Sequence, residues 1–152
     1  MPILNHLENN LIDLSLVGST KEEVVAELVD ILMRAGKIVN RDALIDVLLE
    51  REGLGSTGIG HGVAIPHGRS NELGETVIAL GRTKSDVDFD SIDGKPTRLF
   101  FLLVAPENGG NDHLFTLAKI ARLIKDAKTR NQLLALDSPD EVLSLIKEHE
   151  PR

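Results

Sequence analysis

Short apolar runs alternate along this chain with segments in which apolar residues recur every three or four positions. Residues 11–16 alternate apolar and polar toward their end and predict a short strand at a sheet edge. Thr20, followed three residues later by Glu23, carries the signature of a capping box. The helix it opens places Val24, Leu28, Ile31, Leu32 and Ala35 on one face and stops at Gly36. Asn40 caps a second helix with Leu44, Ile45, Leu48 and Leu49 inward, closed by Gly53. Arg51 lies in its last turn, where the helix dipole favours a cation. Val63-Ala64-Ile65 predicts a brief buried strand ended by Pro66, with His67 emerging at its tip.

Residues 76–82 predict a second buried strand, and residues 87–89 a short third one. Asp93-Gly94 marks a tight return. Residues 98–105 are nearly all apolar, as in a central strand covered on both faces, and Pro106 ends them. A third helix starts near Asp112 with Leu114, Leu117, Ala118, Ala121 and Ile124 as its face and Lys125 and Lys128 at the far end. A shorter helix follows over 129–136. The last opens at Ser138-Pro139-Asp140-Glu141, which combines a cap, a first-turn proline and a third-position acid, and buries Val142, Leu145 and Ile146. Strands covered by helices on both faces imply an α/β domain, a three-layer α/β/α sandwich. The Asp93-Gly94 return makes one pairing antiparallel, so the central sheet is mixed. The 152 residues fit a single domain, 1–152, with no repeat or interdomain linker.

Composition narrows the function. With no Trp, no Tyr and four Phe, the core must be aliphatic. The absence of cysteine excludes disulfides, thiolate catalysis and Cys-based zinc sites. A net charge of −7 argues against nucleic-acid binding, which needs a basic stripe, and suits electrostatic steering toward other proteins. No apolar run approaches the roughly 20 residues of a membrane span. The first six residues show neither a basic nor a long apolar region, so a cytoplasmic protein without a signal peptide is expected.

The candidate chemistry lies in Gly55-Ser-Thr-Gly-Ile-Gly-His-Gly-Val-Ala-Ile-Pro-His-Gly-Arg69. A neutral imidazole is a nucleophile when one nitrogen keeps its lone pair and the other donates to a fixed acceptor. A Pro-His-Gly turn at a strand end offers His67 the rigid backbone for that, with Gly68 leaving open space beside it. His113 opens a helix, where anions are favoured and an imidazolium is not, so a neutral ring there could donate to a phosphoryl oxygen arriving at His67. Arg51 and Arg69 could each clamp phosphoryl oxygens. His6 and His149, near the termini, read as exposed and inert. The glycine loop lacks the Lys-Ser/Thr ending of a P-loop and the flanking strand and helix of a dinucleotide fold, which excludes nucleotide binding. His61 and His67 with His113 or Asp112 could supply metal ligands, but no spacing fixes two of them on one helix.

The block Gly58-Ile-Gly-His-Gly-Val-Ala-Ile-Pro-His-Gly68 resembles the active-site signature of the fructose/mannitol-type enzyme IIA domains of the phosphoenolpyruvate-dependent phosphotransferase system. The resemblance extends to Leu48-Leu-Glu-Arg-Glu-Gly-Leu-Gly-Ser-Thr57, Phe89-Asp-Ser-Ile-Asp-Gly-Lys-Pro96, Leu103-Val-Ala-Pro106 and Asn111-Asp-His-Leu-Phe-Thr-Leu117, nearly the whole chain. It implies a phosphocarrier that needs no cofactor and no metal. His67 would accept a phosphoryl group from an HPr-like carrier protein and pass it to a IIB component. His113 would stabilise the phosphoryl group, and Arg51 would give electrostatic support. The wording of the signature looks most like the nitrogen-regulatory branch, whose members regulate other proteins. The alternatives are a sugar-specific IIA donating to a separate IIB, or a non-catalytic partner-binding module. His61 falls where the family varies, often with Asn, and receives no role; that of Arg69 stays open.

Overall fold

The capping residues set the first two helices. In the computed structural model, which describes residues 3–149, Thr20 Oγ1 accepts the Glu23 N–H at 3.2 Å while the Glu23 carboxylate takes the Thr20 N–H at 3.1 Å. This reciprocal box satisfies amides that have no partner inside the helix. Helix α1 (Lys21–Arg34) then ends in a Schellman turn. Gly36, at φ +73°, donates to Met33 O and Lys37 donates to Leu32 O. The Asn40 side chain accepts the Ala43 N–H at 3.3 Å and starts α2 (Arg41–Leu54), which runs past Gly53 to a cap at Gly55.

Six strands form one mixed sheet: β1 (Ile12–Leu16), β2 (Gly58–Gly60), β3 (Val63–Ala64), β4 (His67–Ser70), β5 (Val77–Val87) and β6 (Thr97–Pro106). The order is β1-β5-β6-β3-β2, with β4 also paired to β6. The expected edge strand β1 lies parallel to β5, and the Asp93-Gly94 return joins the antiparallel pair β5 and β6. Strand β6 is buried from Leu99 to Ala105, as its continuous apolar run required. Adjacent residues of β5 show that helices cover both faces. A side chain at Gly81 would overlap Leu16 and Leu28 on the α1 side. Arg82, pointing the other way, donates to the Leu133 and Leu136 carbonyls at 3.0 and 2.6 Å. Those belong to α4 (Ala127–Ala135) and its C-cap; α3 (Asp112–Leu123) precedes it and α5 (Pro139–His149) closes the described chain.

Three local expectations change. The strand expected to end at Pro66 is interrupted there and resumes as β4, so His67 is the first residue of a paired strand. Proline removes one N–H, but its carbonyl still accepts from Leu103 N at 2.9 Å. The ten-residue β6 is long enough to pair on both sides of the break. The separate strand expected at 87–89 does not exist: Val87 ends β5, which continues through exposed Lys84, Ser85 and Asp86 past a register shift, while Phe89 leaves the strand and enters the core. The face of α3 is rotated: Thr116, Ile120 and Leu123 are buried, Leu117 and Ile124 of the expected face still meet the core, and Leu114, Ala118 and Ala121 are exposed. That stripe follows the same helical spacing, and choosing it leaves Leu114 and Phe115 52% and 71% exposed. The other three phenylalanines are fully buried, and Phe89 meets Phe100 edge-on at 5.3 Å. Among the described residues no helix is long and apolar enough to cross a membrane.

Candidate functional site

His67 is half-buried at the start of β4. Its Nδ1 lies 2.8 Å from Ile65 O. A carbonyl only accepts, so a neutral ring in this contact carries its proton on Nδ1 and keeps the Nε2 lone pair available. The backbone on either side is anchored, by Pro66 O accepting from Leu103 and by β4 pairing along β6. Gly68 differs from expectation. A Cβ there would sit 3.1 Å from Val47 Cγ1 and 3.2 Å from Leu48 Cδ2, so the glycine permits the close approach of α2 and leaves no open space. Since Gly68 faces α2, His67 and Arg69 face the opposite side of the sheet, toward α3.

On that side Arg69 reaches His113, the second residue of α3, and His67 lies near enough to influence its charge. Arg69 donates from Nη1 to Pro106 O at 3.0 Å and from Nη2 to Gly110 O at 2.6 Å, and Nη2 is 3.4 Å from His113 Nδ1. Burial, then the Arg69 cation, then His67 hold the His113 imidazole below its ordinary pKa, against the opposing influence of the Gly110 backbone and Asp112. These influences favour the neutral form of the His113 ring. Arg69 is the residue whose place the sequence left open, although its spacing of two from His67 on a strand would have put both on one face.

Arg51 turns back from the end of α2 and donates to Gly55 O at 2.9 Å, which ties it to the glycine segment. Its hydrogen bond goes to that backbone and to neither histidine. Beside it, Glu52 is buried and accepts from Thr57 N and Thr57 Oγ1, and from Lys21 Nζ at 3.1 Å. Lys21 also pairs with Asp90 at 3.1 Å and lies over the Phe89 ring at 4.7 Å. This clamp joins α1, α2, the glycine segment and the β5–β6 connection. Sequence periodicity gave no sign of it, because an acid in a helix reads by default as solvated.

The glycines themselves build a hairpin. His61 and Gly62, at φ +59° and +79°, form the two-residue turn between β2 and β3. His61 N–H donates to Asp93 Oδ2 at 3.0 Å and its ring is exposed. His61 thus sits in the left-handed region, where His, Asn and Asp are enriched among non-glycine residues. His6 departs from the reading as exposed: it is half-buried, with Nδ1 3.0 Å from Thr76 O, whereas His149 is exposed. No group of three or more His, Cys, Asp or Glu side chains among the described residues is gathered as a metal site.

Fold and site together define a class: an α/β domain that offers one tautomer-fixed imidazole at a strand start, with a second imidazole, biased toward its neutral form, on a nearby helix start. Comparison with known proteins makes this specific. The chain belongs to the family described as "Phosphoenolpyruvate-dependent sugar phosphotransferase system, EIIA 2", whose pattern matches residues 5–149. It is 38% identical over 150 residues to the fructose-specific EIIABC component of Bacillus subtilis (strain 168), covering 99% of this chain but only 24% of that longer protein. The nitrogen regulatory protein IIA-Ntr of Neisseria meningitidis superposes with a TM-score of 0.87 at 35% identity, over 93% of this chain and 97% of that one. Enzyme IIA-Mtl of Escherichia coli, solved in complex with phosphorylated enzyme IIB-Mtl, superposes with a TM-score of 0.77 at 25% identity, over 93% and 97%.

Proposed function

We propose that this protein is a phosphohistidine carrier, acting as one EIIA domain over residues 1–152. Nε2 of His67 attacks the phosphorus of a phosphohistidine on an HPr-like carrier protein. The new N–P bond forms as the old one breaks, and the donor imidazole leaves with the electron pair. The observation that carries this is the 2.8 Å contact of His67 Nδ1 with Ile65 O, which leaves the nucleophilic lone pair on Nε2. Phosphoryl transfer demands positioning and charge neutralisation more than covalent machinery, and no cofactor is needed. The neutral His113 donates a hydrogen bond to a phosphoryl oxygen, and Arg51 adds positive potential from the end of α2. Operation with a phosphoenolpyruvate-charged carrier requires a cytoplasmic location.

The phosphoryl group then goes to a IIB component, as the enzyme IIA-Mtl complex with its IIB supports, or stays as a switch on the affinity for regulated proteins. The close superposition on IIA-Ntr supports the second use. A phosphoryl group on a neutral ring adds negative charge and acceptor atoms to the surface around it. The test is incubation with phosphoenolpyruvate, enzyme I and an HPr-type carrier: the wild type takes label and His67→Ala does not. Equal absence of label from both ends the proposal. Capture of partners by phosphorylated and unphosphorylated protein separates carrier from switch, since equal capture removes the switch.

A further inference from the structure

Arg69 carries a positive charge into the site, and the phosphocarrier reading so far gives it no task. It follows His67 by two residues on β4 and leaves the strand on the same face. Its guanidinium spans the connection between β6 and α3. Nη1 donates to Pro106 O at one end, and Nη2 donates to Gly110 O just before the N-cap of α3. The same Nη2 reaches Nδ1 of His113 at 3.4 Å.

A guanidinium has donors only. Its contact with Nδ1 is a hydrogen bond only when that nitrogen carries the lone pair, and the neutral ring then holds its proton on Nε2. The Gly110 carbonyl is the competing neighbour, because it favours a proton on the His113 ring. Arg69 donates into that carbonyl at 2.6 Å and so weakens its pull. With two carbonyls and an imidazole as partners, the guanidinium is committed to protein groups. That sets it apart from a fork awaiting phosphoryl oxygens.

We infer that Arg69 is a positioning residue: it pins the 106–110 connection and holds His113 in the Nε2–H tautomer, the form that can donate to a phosphoryl group on His67. The inference rests on the phosphocarrier reading. The two histidines are thereby held in opposite tautomers, His67 with a lone pair on Nε2 as nucleophile and His113 with a proton on Nε2 as donor. One backbone carbonyl sets the first, and one arginine sets the second.

Long-range proton–nitrogen NMR spectra of the full chain, at mildly alkaline pH and without any phosphoryl donor, read the tautomer of each ring directly. The wild type is expected to show His113 as Nε2–H, and Arg69→Ala a mixture with Nδ1–H. The titratable and charged groups facing His113 are Arg69 and His67 from β4 and Asp112 on its own helix, so removing the Arg69 cation should also raise the His113 titration midpoint. Phosphoryl transfer to His67 in Arg69→Ala should slow about tenfold in kcat, the rate equivalent of one lost hydrogen bond, with little change in KM for the carrier. Arg69→Lys keeps the cation and should recover part of both the tautomer bias and the rate. Should Arg69→Ala fail to fold, the wild-type tautomer and the lysine variant still decide. A wild-type His113 found as Nδ1–H overturns the inference, and so does a slowed Arg69→Ala whose tautomer is unchanged. A wild type that takes no label at His67 overturns the phosphocarrier reading itself, an outcome separate from the tautomer spectra.

Discussion

His67 and His113 face the same space, and they are held there by opposite means. The ring of His67 is fixed by the backbone. Its partner carbonyl, on Ile65, is two residues away, and the intervening Pro66 is buried and locked onto β6. Nothing in that arrangement depends on a second side chain. His113 sits on the first turn of a helix whose N-cap, Asn111, makes no side-chain capping bond, and its ring is reached by the side chain of Arg69. Leu114 and Phe115 beside it are exposed. The contrast matches the proposed tasks. A nucleophile must present one lone pair along one line, whereas a hydrogen-bond donor to a phosphoryl oxygen tolerates a wider range of approach.

Substitutions can break this contrast. The largest expected effect is that of His67→Ala, which should abolish phosphoryl acceptance while changing unfolding stability by less than about 1 kcal/mol, because the half-buried ring contributes little packing. Labelling measured beside a urea melt checks both. His113→Ala should slow transfer by about a hundredfold, the usual effect of losing one donor to developing charge, and leave the fold intact. If its labelling vanishes as completely as that of His67→Ala, the two rings are equal partners and the asymmetry is wrong. Gly68→Val tests the backbone side. Its side chain would press on Val47 and Leu48 of α2 and should destabilise by about 2 kcal/mol in the same melt. Unchanged stability would mean that α2 can retreat freely and that the anchoring of His67 is looser than its contacts indicate.

The same contrast explains what the sequence disclosed. The capping box, the Schellman glycine, the apolar run of β6 and the Pro-His-Gly that leads into β4 are local, so their physics is written in neighbouring residues. The sandwich, the mixed sheet and the edge position of β1 followed from them. What stayed hidden joins distant segments. Arg69 meets the Pro106 and Gly110 carbonyls, Glu52 meets Lys21 and Thr57, and neither pattern has a periodicity to betray it. Gly68 was misread for the same reason: whether a glycine opens space or lets a helix approach depends on what packs against it, here α2. The return of β4 after Pro66 depended on the length of β6, which no feature of residues 63–69 records.

The smallest effect concerns the hairpin that precedes His67, which is held by a third device, an exposed carboxylate. Asp93 Oδ2 accepts the His61 N–H and Oδ1 accepts the Lys95 N–H, each at 3.0 Å, so one side chain couples the β2–β3 turn to the return before β6. These two backbone donors pull the Asp93 carboxyl from 3.8 down to about 2. A carboxyl with a depressed pKa in the folded state adds stability that is complete above its unfolded value and is lost as pH falls through its folded value. The window for Asp93 therefore runs from about pH 4 down to about pH 2. Asp93→Asn keeps an acceptor and removes the charge. Its thermal midpoint should lie slightly below that of the wild type near neutral pH, and the gap should close across that window. A gap that stays constant into acid would show that the carboxylate acts by shape alone, leaving the hairpin and the strand it feeds to be held, like His67, by the backbone.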